Sequence, residues 1–313
     1  MNKQHNYPYF FKVSSVIHNF ISRYKLLSKY YLALIGFIMR STGNFPLKDN
    51  IINNVSSFKW PKNKFGPVDV TLSDNFKVKL IPHTGEFEFL GLFKRELQYE
   101  KGVFQLINKN IHKYDAIIEI GANIGIFSIY MAKKLMCMNK NVPVYSFEPS
   151  REAYSRLLEN INNNNLTNIF PFNLAIYNKE GFLTFYEPVN HLTNGSVHEE
   201  FANIFSSEVK NTTVASFSAN ELEQLIKNKK NILFKIDVEG AEAAILKNIE
   251  IIIIDKAPDI ILEVLNKYED DLNSIQFIRE KYDYFLITDE GIKKQEKFKS
   301  DPLFRDYLLT PKS

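Results

Sequence analysis

The stretch Asp115–Ser128, DAIIEIGANIGIFS, constrains the fold more than any other part of the chain. Ala116–Ile120 is a short apolar run with one acid, Glu119, near its end. Gly121, Asn123 and Gly125 follow, and Ile126, Phe127, Ile129 and Tyr130 then begin a helical pattern. A buried strand, a glycine turn and a helix start are the parts of a nucleotide-cofactor site. The glycines let the backbone bend sharply and approach a ligand, and the free N–H groups at the helix start face the same crevice. The spacing is E-x-G-x-N-x-G rather than G-x-G-x-x-G. Asn123 stands where the second glycine of the dinucleotide fingerprint would offer a pyrophosphate bare backbone, which argues against NAD. An acid at the strand end suits a cationic ligand, and the ammonium and sulfonium of S-adenosyl-L-methionine fit that polarity. Taken alone, the same turn also reads as a plain strand-to-helix connection.

From Asp115 onward, strand and helix patterns alternate. Strands read at Ala116–Ile120, Val144–Phe147, Asn168–Leu174, Ile232–Ile236, Ile260–Val264 and Tyr284–Thr288, with a last one at Leu303–Leu309. Helices read at about Phe127–Met138, Arg151–Asn162, Glu221–Lys229, Ala241–Glu250 and Leu272–Lys281. That alternation predicts an α/β fold, a parallel sheet with helices on both faces. Phe182–Tyr186 is a further strand-like run. Phe185–Phe217 reads as a long irregular insert, which in a compact domain is usually functional or mobile.

Four acids fall at the carboxyl ends of these strands, where open parallel sheets bind ligands. They are Glu119, Glu148 in Phe147-Glu148-Pro149, Asp237, and Glu263. Glu148 lies where an acid accepts two ribose hydroxyls. Each acid singly could be a solvated turn residue; four at corresponding ends point to one cleft.

The front of the chain has a different character. Residues 1–48 hold seven of the 39 basic residues and none of the 36 acids, so the remainder is net negative. A phosphate-rich partner demands the opposite sign, and no nucleic acid is expected. Val13, Val16, Ile17, Phe20, Ile21, Tyr24 and Leu27 recur at helical spacing, and Tyr30–Met39 then runs apolar for ten residues, against the roughly 20 that span a bilayer. Three readings stay open for residues 1–40: an interfacial helix in peripheral contact with a membrane, a dimerisation helix, or a helix packed on the domain. Residues 49–98 read as a linker, Ser41–Pro67 being rich in Gly, Pro and Asn, followed by a β-hairpin; residues 99–313 read as the cofactor domain. The one cysteine, Cys137, excludes an intramolecular disulfide framework and fits a reducing, cytoplasmic setting.

Glu119-Ile-Gly-Ala-Asn-Ile-Gly125, Phe147-Glu-Pro149, Thr193-Asn-Gly-Ser196 and Lys235-Ile-Asp-Val-Glu-Gly-Ala-Glu242 resemble the motifs of the FkbM family of methyltransferases. The resemblance covers about Tyr99–Asn266. It implies a class I (Rossmann-like) methyltransferase sheet, seven-stranded with the last strand antiparallel, and O-methylation of a saccharide in a surface glycan or a glycosylated metabolite. Carried over by motif, Glu119, Gly121, Asn123 and Gly125 flank the methionine part of S-adenosyl-L-methionine, Glu148 holds the ribose, Ala175 lies near the adenine, and Asp237 faces the methyl-transfer centre. A sugar hydroxyl is a poor acid, so a base is expected: Asp237 first, Glu239 second, with His191 and His198 able to supply an imidazole. Asp237, Glu239, Glu242 and Glu263 are oxygen ligands of the kind magnesium takes, but no obligatory metal is expected. The alternatives from other classes are an NAD-dependent oxidoreductase on a similar sheet and a non-catalytic S-adenosyl-L-methionine-binding module.

Overall fold

The computed structural model describes residues 8–73, 75–178, 180–189 and 194–312. The chain divides into two compact units, Met1–Gln98 and Tyr99–Ser313.

The first unit holds three helices, α1 (Pro8–Ile21), α2 (Lys25–Ser41) and α3 (Lys48–Ser56), and the hairpin β1 (Val68–Thr71) with β2 (Lys77–Leu80). One face of α2 buries Ser28, Leu32, Gly36 and Met39. Leu32 and Met39 share a core with Ile52, Val55, Trp60 and Phe93, so helices on either side of position 48 pack together. A Cβ at Gly36 would lie 2.6 Å from the Leu92 carbonyl oxygen, so α2 can make this close approach only through a glycine. The expected linker contains α3. Its Asn-rich sequence has weak helix propensity, and tertiary packing of Ile52 and Val55, with the Trp60 indole N–H donating to the Val55 carbonyl at 2.7 Å, overrides it.

In the second unit, α4 (Lys101–Asn110) precedes β3 (Ala116–Ile120), α5 (Ile126–Cys137), β4 (Val144–Phe147), α6 (Arg151–Asn163) and β5 (Ile169–Phe172). A side arm follows: β6 (Ala175–Ile176), β7 (Gly181–Pro188), α7 (Glu199–Phe205) and β8 (Val209–Phe217). The chain then returns through α8 (Ala219–Ile226), β9 (Ile232–Ile236), α9 (Glu242–Asn248), α10 (Glu250–Lys256) and β10 (Asp259–Glu263). It closes with α11 (Glu269–Asn273), α12 (Gln276–Lys281), β11 (Tyr282–Thr288), β12 (Gly291–Gln295) and β13 (Asp306–Pro311).

The main sheet runs β12-β11-β13-β10-β9-β3-β4-β5. The five strands from β5 to β10 are mutually parallel; β13 is antiparallel to both β10 and β11. This is the expected seven-stranded class I arrangement with an antiparallel last strand, extended by an eighth, β12, which pairs antiparallel with β11. β12 reads GIKKQ and is almost wholly exposed, so no apolar pattern announces it. The central strands β3 and β9 are buried at all five positions. Ala116, Ile118, Ile120, Phe234 and Ile236 pack with Ile245, Leu246 and Ile253 from α9 and α10. On the other face, the Phe104 ring of α4 stacks 4.5 Å from the Phe127 ring of α5.

The insert expected to be irregular is mostly ordered. β7 and β8 pair antiparallel from Gly181↔Ser216 to Pro188↔Val209, and β6 adds in parallel to β8. Most of β7 is exposed or half-buried, which hides the alternation of a half-buried strand.

The connections β3→β4→β5 step one way across the sheet, and β9→β10 step the other way from the opposite side of β3. The crevice beyond the carboxyl ends of β3 and β9 is therefore the switch point, the place where such sheets bind ligands.

Candidate active site

The glycine turn is fixed by backbone contacts before any ligand is considered. The Gly121 and Ala122 N–H groups both donate to the Phe147 carbonyl at 2.9 Å, and the Asp237 N–H donates to the Ile120 carbonyl at 3.0 Å. The ends of β3, β4 and β9 are thus laced together. Gly121 has φ +87°, and a Cβ there would fall 1.8 Å from the Asp237 carbonyl oxygen; Gly125 has φ +84°, and a Cβ there would fall 2.2 Å from Leu157 Cδ1. Both positions require glycine for conformation and for space. Asn123 is left-handed, with φ +50°. Asn160 of α6, itself buried, donates from Nδ2 to the Ile124 carbonyl at 3.0 Å and braces the turn, whereas Asn164 caps α6 by donating to the Asn160 carbonyl. Asn160 thus reaches 36 residues back to the turn rather than capping its own helix.

Glu148, at the end of β4, ties this turn to α6. Its Oε2 accepts from the Asn123 N–H and its Oε1 from the Ser150 N–H, both at 2.7 Å. Burial pushes its carboxyl up to about 7, held down in part by those two N–H groups. The Ser150 hydroxyl donates to Glu187 on β7, which brings a second carboxylate from the side arm to the same rim. Asn123 Oδ1 is buried without a partner, an orphan acceptor beside the turn.

Under the first turn of α5 runs a buried polar row. Ser146, Glu119 and Lys235 stand opposite one another in register across β4, β3 and β9. Ser128 of α5 donates to Glu119 and lies 2.6 Å from the Ser146 hydroxyl. Burial raises the Glu119 carboxyl to about 7, with Lys235 and Ser128 pulling the other way. Glu119 thus sits inside the layer, bonded to the helix. Lys235 is 2% exposed, its ammonium 4.3 Å from the Phe127 ring centre and 2.9 Å from Asp237 Oδ2. Burial alone would lower its pKa; Asp237, Glu100, Glu119 and Asp306 outweigh that and raise it.

Asp237 is the accessible member of this pair, its side chain 25% exposed. Beyond it the loop Val238–Ala241 turns tightly, with Glu239 left-handed at φ +55° and Gly240 at φ +102°. Glu242 is fully buried, and its Oε1 accepts from the Val238 and Gly240 N–H groups at 3.3 and 3.2 Å, so it holds the loop from the first turn of α9. Asp237, Glu239 and Glu263 can each present one carboxylate oxygen within 4.8 Å of the other two, a grouping that a hard divalent cation could use. Burial, then repulsion from Asp237, raises the Glu239 carboxyl to about 8; the same two causes raise Glu263, while Arg305 lies 3.7 Å from Glu263.

The fold therefore brings Gly121, Asn123, Gly125, Glu148, Asp237 and Glu239 to one crevice. Ala175 is buried at the start of β6, in register with Ser216. His191 lies outside the described residues. His198 is not aimed at the carboxylates: its ring stacks on Tyr268 at 6.0 Å, and its backbone N–H donates to Ser196 Oγ. Ser196 Oγ donates to the Glu239 carbonyl at 2.9 Å, so the side arm is pinned to the loop after β9. The sequence gives no site role to Lys235, Glu100, Asp306 or Glu187. For Lys235 the signal was present: a lysine inside ILFKI, a strand buried on both faces, must find anions there.

Residues 119–286 match the Methyltransferase FkbM domain. The hexuronic acid methyltransferase AglP of Haloferax volcanii is 28% identical over 153 residues, 49% of this chain and 57% of that protein, so this chain spans little more than half the length of that relative. Among solved structures, the methyltransferase FkbM from Methylobacillus flagellatus aligns with a TM-score of 0.38 and 17% identity, over 63% of this chain and 43% of that one. An O-methyltransferase from Bacillus cereus in complex with SAH aligns at 0.36 with 13% identity, over 68% of this chain and 79% of that one. The domain match covers more than half of the chain and takes in the glycine turn, the Glu148 strand end and the Lys235–Glu242 loop; the chain belongs to the FkbM methyltransferase family.

Proposed function

We propose that this chain is an S-adenosyl-L-methionine-dependent O-methyltransferase that acts on a hydroxyl of a saccharide, in a surface glycan or a glycosylated metabolite. The observation that carries the reading is a pair of acids with different surroundings, at the ends of the two strands that flank β3 at the switch point. Glu148 is committed to the glycine turn, and Asp237 is half-open at the end of the neighbouring run of strands. Family membership removes the NAD-dependent oxidoreductase alternative.

The residues fit the cofactor. The orphan Asn123 Oδ1 needs a donor, which a ribose hydroxyl or an ammonium supplies. Each Glu148 oxygen accepts one N–H and keeps acceptor capacity for two ribose hydroxyls. Net negative surroundings suit a cationic ligand. When bound, the cofactor supplies a methyl group already activated on a sulfonium. The protein's part is then to hold the acceptor oxygen in line and to receive its proton, which is positional and general-base work.

Asp237 is the base in this reading. Lys235 fixes its orientation from below, and Glu239, raised to about 8, is the second candidate. Asp237, Glu239, Glu242, Glu263 and Asp306 outnumber Lys235 and Arg305 around the acceptor end. A neutral hydroxyl enters that field more readily than a carboxylate does. Lys235 and protons held on the raised carboxyls offset the crowding, so the reading needs no metal. The saccharide class is supported by the printed activity of AglP, a hexuronic acid methyltransferase.

The test is an acceptor panel. Methyl-labelled S-adenosyl-L-methionine and purified protein are offered neutral sugars, the matching uronic acids, a protein extract and RNA. Label in the neutral sugars supports the proposal; label confined to protein, RNA or the uronate carboxyl contradicts it.

A further inference from the structure

We infer that the α1–α2 pair is a docking surface for an anionic phospholipid bilayer, which the protein binds from one side without crossing it. The inference is independent of the methyl-transfer reading.

Helix α2 is apolar on two sides, but only one is covered. Ser28, Leu32, Gly36 and Met39 face the unit's core. The opposite stripe, Leu26, Tyr30, Leu34 and Phe37, follows the same helical spacing and is 66%, 66%, 58% and 70% exposed. On α1, Val16 and Phe20 are 69% and 58% exposed and extend the patch. A helix apolar all round is ordinarily buried all round, and a contiguous exposed patch of large side chains marks an interaction surface. At the α1–α2 turn, Phe20, Tyr24, Leu26, Leu27 and Tyr30 line a shallow recess.

Charge identifies the occupant. Arg23, Lys25 and Lys29 are exposed among these apolar residues, and residues 1–48 contain no acid. The other two basic residues of α2 and α3 work inside the unit: Arg40 donates to the Lys94 and Asp69 carbonyls, and Lys48 to the Thr42 carbonyl. A second copy seated face to face would set Arg23, Lys25 and Lys29 against their own equivalents with nothing to pair them. An anionic bilayer offers both an apolar interior edge and a negative headgroup layer. Tyrosine rings beside lysines are the side chains that settle at that boundary. Among the described residues no helix is long and apolar enough to cross a membrane, so the contact is interfacial.

The test uses the full chain and vesicles of phosphatidylcholine alone or with phosphatidylserine. Co-sedimentation is expected with the anionic vesicles only, with release at high salt. The triple variant Arg23→Gln, Lys25→Gln, Lys29→Gln alters only exposed positions, so folding is preserved. Its vesicle partition should fall on the order of 100-fold, since each basic residue near such a surface contributes about fivefold. Leu34→Glu with Phe37→Glu should abolish binding while the thermal melt stays intact. Equal binding to both vesicle types, no binding to either, or a stable dimer in sedimentation equilibrium that those two apolar substitutions dissociate would each overturn the inference.

Discussion

The Lys235 ammonium lies 2.9 Å from the Asp237 carboxylate, buried under α5 at the end of a strand that is otherwise apolar. This pairing explains how a crowd of acids can stand at one strand end. It also holds Oδ2 of Asp237 in place, while Glu119 stands opposite the lysine in register on β3.

Removing that cation should cost heavily. Lys235→Met leaves Asp237, Glu100 and Asp306 without their buried counter-charge. Breaking a buried pair from one side costs about 3–5 kcal/mol. Urea unfolding should show a loss of that size, smaller in the double variant with Asp237→Asn, because the two residues are coupled. Additive losses would mean that the pair does not interact as described.

The glycine turn gives a second prediction. Gly121→Ala should destabilise by more than the about 1–2 kcal/mol that a left-handed alanine costs, because its methyl meets the Asp237 carbonyl. Gly85 has the same φ of +87° but nothing within 4 Å of a Cβ, so Gly85→Ala isolates the conformational part. Equal losses in the two variants would remove the packing argument at Gly121.

The pH dependence has a definite sign. Burial raises Glu119, Glu148 and Glu242 to about 7 and Glu239 to about 8, from an ordinary 4.5. Between about pH 4.5 and pH 8 the folded chain retains protons that the unfolded chain has released. Stability is therefore fullest at the acid end of that window and declines as pH rises through it. Melting temperature measured from pH 5 to pH 9 without ligand should fall by several degrees; a rise over that range would show that these carboxyls are ionised in the native state.

Much of the fold was legible because the central strands are short apolar runs ended by glycine or an acid. Ala116–Ile120, Val144–Phe147 and Ile232–Ile236 have the same limits in sequence and structure. Elements held by tertiary packing or by an edge were not legible. α3 has asparagines at helical positions and depends on Trp60, and the one apolar residue of β12, Ile292, stays exposed. Ala241–Glu250 reads as one helix but breaks at Ile249, where α9 ends and α10 begins. In the site, acids at strand ends stood out because polar residues there interrupt apolar runs. The supporting contacts did not, because Asn160 to Ile124 and Ser196 to Glu239 join residues 36 and 43 positions apart.

Asp237→Asn keeps the shape and removes the proposed base. Turnover should fall by about 10²–10⁴ while cofactor affinity is largely retained. Turnover of the unaltered protein should be the same with and without a chelator of divalent cations. A near-normal rate in Asp237→Asn would assign the base elsewhere, and loss of rate on chelation would place a cation on the Asp237, Glu239 and Glu263 oxygens.

The most direct measurement of the central claim is calorimetric titration of the full chain with S-adenosyl-L-methionine, S-adenosylhomocysteine and NAD, repeated on Glu148→Ala. The account predicts binding of the first two and none of NAD. It predicts weakening in Glu148→Ala by about 1–3 kcal/mol, roughly five- to 150-fold in Kd, as the ribose-facing contacts are lost. Saturable NAD binding with no response to S-adenosyl-L-methionine, or unchanged affinity in Glu148→Ala, would contradict it.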